Sequence, residues 1–245
     1  MKKFLHLIGF QVKEYVKNTY FVNLVLIQTT MMMLYEYLAH YVHHNYLGQE
    51  WLIAGVIGLW ASCTTSGGAL GFQRFQGTLP HLLNGALPQF EVLLATLALA
   101  AIYGLVAFPL ASIEALVLGM PVNYLSWKLL LGIVVLWFTA TVLSYVVSLI
   151  FVLSKHAMQY EELLLLPILL LSGFLTIPQI LLPYLAPFQL LSPLTLPIQI
   201  IYHQTVKPIT IIFYFLIIIL FILSALKMTN VIVQRAIKEN RLEIF

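Results

Sequence analysis

Charge is what this sequence has least of. Of its 245 residues only 9% are charged, Asp is absent, and all nine acids are Glu. A soluble domain carries about a quarter charged residues. A water-soluble enzyme is therefore excluded by a composition that is 61% hydrophobic, with a mean hydropathy of +0.96. The single cysteine, Cys63, permits no internal disulfide, and the lack of Asp removes any aspartyl intramembrane protease. No Gly-x-x-x-x-Gly-Lys-Ser/Thr phosphate loop occurs, so that type of nucleotide site is missing too. A crossing helix takes about 20 apolar residues. The length thus holds about six spans and no large extramembrane domain.

What is present is oil in long runs. Six apolar stretches stand out, at 20–38, 51–72, 91–112, 128–153, 162–180 and 208–226. They do not alternate as barrel strands do, and in lipid each backbone N–H and C=O must pair within its own segment. The expected fold is an all-α polytopic membrane protein, a single transmembrane domain over 1–245 with six transmembrane helices.

Orientation follows from the basic residues. Lys2, Lys3, Lys13, Lys17, Arg74, Lys155, Lys227, Arg235, Lys238 and Arg241, ten of the twelve, fall on one side, and only Lys128 and Lys207 fall at span edges opposite. By the positive-inside rule that side is cytoplasmic, as are both termini. Trp51, Trp127, Tyr46, Tyr124 and Tyr202 form an aromatic belt at the other face. In residues 1–18, Phe4, Leu5, Ile8, Val12, Tyr15 and Val16 share one helical face and the lysines the other. This reads as an amphipathic helix lying in the cytoplasmic interface, not a cleaved leader.

Two connections are not ordinary loops. In the cytoplasmic segment 73–90, Thr78 and Pro80 open a short helix and Pro88 follows its end. Leu79, Leu82, Leu83 and Leu87 recur at helical spacing on it. Periodicity alone leaves two placements open, in a groove on a partner or on the membrane surface. The outer segment 178–204 is apolar yet holds Pro178, Pro183, Pro187, Pro193 and Pro197. A continuous crossing helix does not tolerate these prolines, so a Pro-broken re-entrant pair between spans five and six is expected.

Catalytic readings fail on their partners. Ser66 in Thr65-Ser66-Gly67-Gly68 needs a His base, and the last span contains none. Glu161-Glu162 lacks the Arg that a prenyl-protein protease places four residues on, where Leu166 stands. His40, His43 and His44 form no complete metal set, so no metal site is expected. The spans carry no ionisable residue at their centres, which argues against ion coupling.

The order of these features resembles the membrane subunit of bacterial ABC exporters of the type-2 permease family. In that family a Glu-Arg-x-x-Gly-Thr-Leu-like sequence follows the second span. Here it stands as Gln73-Arg74-Phe75-Gln76-Gly77-Thr78-Leu79, then Leu82-Leu83, Leu87 and Pro88, with Gln73 replacing the usual acid. The resemblance implies a non-catalytic permease of the cytoplasmic membrane. It implies an exporter coupled through Gln73, Arg74, Gly77, Thr78, Leu79, Leu82, Leu83 and Leu87 to a separate ABC ATPase. ATP and Mg belong to that partner, and this chain binds no cofactor and no nucleic acid. It further implies a dimer with a second or paralogous permease. The pathway walls at that interface would be Gln28, Thr29, Thr30, Met31, Met32 and Met33 with Leu171, Ser172 and Gly173. By analogy the cargo is an amphipathic peptide, drug or lipid-linked molecule, as in antimicrobial peptide export or immunity. The alternative is an ion-coupled carrier or channel with no ATPase.

Overall fold

The structure, a computed structural model, describes residues 9, 19–41, 45–85, 87–153, 165–169, 171–174 and 182–239. The expected interfacial helix 1–18, the turn around Lys155 and much of the expected fifth span lie outside these residues. Ten helices are delimited: α1 Thr19–Tyr41, α2 Glu50–Thr64, α3 Ser66–Phe75, α4 Leu79–Leu83, α5 Gln89–Gly104, α6 Ala107–Val117, α7 Trp127–Leu153, α8 Leu182–Leu191, α9 Thr195–Ile201 and α10 Pro208–Lys238. Residues 165–169 are also helical, and no strand occurs among the described residues.

Among the described residues, five continuous or nearly continuous segments are long and apolar enough to cross a membrane: Thr19–Tyr41, Glu50–Phe75, Gln89–Val117, Trp127–Val152 and Pro208–Lys238. The α8–α9 pair, bent by 97°, adds a sixth there if it is one broken span. Pro193 sits at that bend and cannot donate to a helical ladder.

Two of the five crossings are interrupted where the sequence reading drew continuous helices. Between α2 and α3, Thr65 leaves helical geometry at ψ 49°, and the Thr64 hydroxyl donates back to the Trp60 carbonyl at 2.7 Å. Such back-bonding bends helices. Between α5 and α6, Leu105 and Val106 form tightened three-residue turns onto Ile102 and Tyr103. Pro109, three residues after Val106, has no N–H with which to continue the α5 ladder.

The central element is α2, with twelve of its fifteen residues buried. Around it pack α1, α5, α6 and α7, while α10 lies on the far side of α7. Small residues permit this crowding. A Cβ on Gly58 would lie 1.9 Å from the Thr29 Oγ1 and 2.9 Å from the Ala107 Cβ, so α1, α2 and α6 meet there almost backbone to backbone. Polar groups then tie the helices. Ser62 donates to the Ala100 carbonyl at 2.6 Å and Trp137 to the Ala101 carbonyl at 2.8 Å. Hydroxyl pairs join Tyr145 to Thr229 and Thr139 to Tyr214. Each such bond in a membrane contributes about 1 kcal/mol.

One end of the bundle is knit by its connections. His203 stacks on Tyr124, Gln49 donates to the Tyr124 hydroxyl, and Trp51 donates to the Asn123 carbonyl. At the opposite end lie Arg74 and the C-terminal third of α10, with Lys227, Arg235 and Lys238.

The Gly58 contact is testable. Gly58→Ala should lower the thermal midpoint of the purified chain in detergent, with overpacking of about 1–3 kcal/mol. The Thr29 hydroxyl has no hydrogen-bond partner among the described residues, so adding Thr29→Ala should recover most of the loss. Equal midpoints for the single and double variants would refute the contact.

Candidate coupling surface and membrane cavity

The segment after α3 is a helix stop built by its own residues. Gly77, at φ +68°, occupies the left-handed conformation that only glycine adopts freely. The Thr78 N–H bonds the Gln73 carbonyl at 3.0 Å and the Gly77 N–H bonds the Arg74 carbonyl at 2.9 Å. This crossed pair is the Schellman arrangement. The Thr78 hydroxyl also donates toward the side-chain oxygen of Gln73. Gln73, Gly77 and Thr78 therefore serve each other, and α4 starts immediately afterward.

Arg74 points the other way. It is only 7% exposed, and its Nη2 donates to the Phe151 carbonyl at 3.0 Å and the Val152 carbonyl at 2.7 Å. These carbonyls lie in the last described turn of α7. The guanidinium thus fastens the end of the second crossing to the end of the fourth.

The leucines of α4 are turned inward. Leu79 and Leu83 are buried in the chain's own core, and Leu82 and Leu87 are partly buried against it. This differs from an apolar face left open for a partner's groove. What the segment presents outward is Phe75, 80% exposed, with Gln76, Gly77, His81 and Asn84. Phe75 is the large apolar side chain that the sequence reading passed over; it had counted only residues in register with the leucines.

A cavity of about 350 Å³ opens between α1, α2 and residues 165–169. Tyr20, Gln28, Trp60, Thr64 and Thr65 give its wall polar atoms, and Leu24, Leu165 and Leu169 give it apolar surface. Of the expected α1 wall only Gln28 lines it. Thr29 and Met33 are buried, Thr30 donates to the Glu114 carboxylate of α6, Met32 is half-buried and Met31 is exposed. Leu171, Ser172 and Gly173 do not line it either. Ser172 bonds back to the Leu169 carbonyl, and Gly173, at φ +82°, ends the helical stretch near Gln189 of α8.

At the other end of the bundle, Glu36 and Glu50 are buried, and the His40 Nδ1 lies 3.7 Å from the Glu36 carboxylate. Among the described residues no group of His, Cys, Asp and Glu converges as a metal set, and His43 and His44 lie outside them. Cys63 is buried and faces the Ala101 carbonyl.

The sequence matches the model of the ABC-2 type transporter family across residues 2–206, which takes in the helix stop, the cavity and α9. Comparison with curated proteins and with solved structures returned no match. A match over that length, on a multi-pass helical chain, is a match to a transport permease component. The chain belongs to the ABC-2 type transporter family of membrane proteins.

Proposed function

We propose that the chain is the permease subunit of an ATP-driven exporter and that a separate ABC ATPase drives it through the 73–90 segment. The observation that carries this reading is the Arg74 bond to the end of α7. It makes the exposed turn at 75–78 one rigid piece with two crossings, so force applied to the turn reaches the bundle. The family supports an ABC permease role. The basic end, with Arg74 and the end of α10, is assigned to the cytoplasm of a bacterial cell, with both termini there. The bent α8–α9 pair is read as re-entrant from the outer face. ATP and Mg stay on the partner, and nucleotide binding closes the ATPase pair.

The cavity's mixed wall suits an amphipathic cargo: a peptide, a drug or a lipid-linked molecule, moved outward. A second permease, identical or paralogous, completes the route against α1, whose Ile27, Met31, Leu34 and Leu38 are all exposed. Export of antimicrobial peptides or immunity to them is the biological setting we infer. A second reading, an ion-coupled carrier, draws on the buried Glu36 and Glu50 and the half-buried Glu114, since acids in a membrane mark ion pathways. All three lie toward the outer edge, and we favour the first reading.

Two outcomes test the coupling. Phe75→Glu should leave the folded chain intact, because that side chain is exposed, yet abolish copurification with a phosphate-loop ATPase. Undiminished copurification would contradict the proposal. Arg74→Gln should leave the ATPase bound but make its hydrolysis insensitive to cargo. It should also cost about 1–3 kcal/mol of stability as carbonyls at the α7 end lose their donor. A cargo response equal to wild type would remove Arg74 from the transmission path.

A further inference from the structure

Beside the coupling turn lies a second cleft, of about 550 Å³, between the loop leading into α5 and the last third of α10. Its walls carry four amide side chains, Asn84 and Gln89 on one side and Asn230 and Gln234 on the other, over a floor that includes Leu83. None of its lining residues is charged. That excludes the cations a phosphate or an anionic headgroup requires. Side-chain amides offer a donor and an acceptor together, which is the complement of a polypeptide main chain. The Gln89 Oε1 is buried and has no hydrogen-bond partner among the described residues. A buried acceptor without a donor is unfavourable.

The cleft falls outside the hydrocarbon core. At 1.5 Å per residue, the 31 residues of α10 extend about 46 Å, against a hydrocarbon core of about 30 Å. The excess falls at the Lys238 end. There Thr229, Val233 and Ala236 pack inward and Asn230 and Gln234, one turn apart, face out. Lys227 and Lys238 continue the same stripe on either side of the amides, which favours an occupant with acidic flanks. Through Leu83 and Asn84 the cleft is continuous with α4.

We infer that this cleft is a second seat for the ATPase, holding an extended loop of that subunit by its main chain. The inference rests on the proposed function and adds α10 to the coupling surface. Grip at α10 as well as at Phe75 would fix the ATPase at two points and so set its angle to the bundle.

The test places the photo-crosslinker p-benzoylphenylalanine at position 75, 230 or 234 of the full chain in its native membrane, and identifies each adduct by mass spectrometry. Adducts with one polypeptide carrying a phosphate loop are expected from all three positions. Adducts with that polypeptide from 75 alone, or lipid or self-adducts from 230 and 234, overturn the cleft and leave the coupling reading standing. No such polypeptide from any position overturns both. Using the ATPase so identified, Asn230→Leu with Gln234→Leu should weaken its binding about tenfold with the permease's thermal midpoint unchanged, since both side chains are exposed. Binding indistinguishable from wild type overturns the inference.

Discussion

A single buried cation holds the working end of this molecule together. Burying a guanidinium is costly unless it is hydrogen-bonded, and Arg74 donates to the Phe151 and Val152 carbonyls of α7. This bond ties the second crossing to the fourth. The Schellman stop at Gly77 then sends the chain away from Arg74 at once, leaving Phe75 and the turn at the surface. Gln73 stands where the family usually has an acid. Its side-chain oxygen accepts from Thr78, so its part here is to close the turn.

The crossing that carries Arg74 is also the most buried one, and it bends at Thr65 between the cavity wall and the coupling turn. Trp60, Thr64 and Thr65 line the cavity, and Arg74 lies about two and a half turns further along. Above the cavity, Gly58 locks α2 against α1 and α6. In the proposed mechanism, one element joins the turn at 75–78 to the cavity wall, with the Thr65 bend between them.

Much of this was legible in the sequence, because hydropathy and charge act on long segments. The crossings formed by α1, α7 and α10 fall where the apolar runs are, and the coupling turn falls at the Gly-Thr pair. Features set by tertiary contact were not legible. Helical spacing of Leu79 and Leu83 marks an apolar face but not what covers it, and here the chain's own core does. Thr29, Thr30 and Met31 are consecutive, so a helix must spread them around its circumference. Of the residues 28–33, only Gln28 therefore faces the cavity. The break at Leu105 has its sequence signal in Pro109, inside the apolar run 91–112. The burial of Glu36 and Glu50 had no local signal, since what buries them comes from other helices.

The central claim is that the coupling turn and the end of α7 move as one body relative to α1. Pulsed electron spin resonance on the complex with its ATPase measures this directly, with spin labels replacing the exposed residues Gln76, Ile150 and Tyr35. The account predicts a 76–150 distance that is the same with and without trapped nucleotide, and a 76–35 distance that changes. A nucleotide-dependent change between 76 and 150 would contradict it.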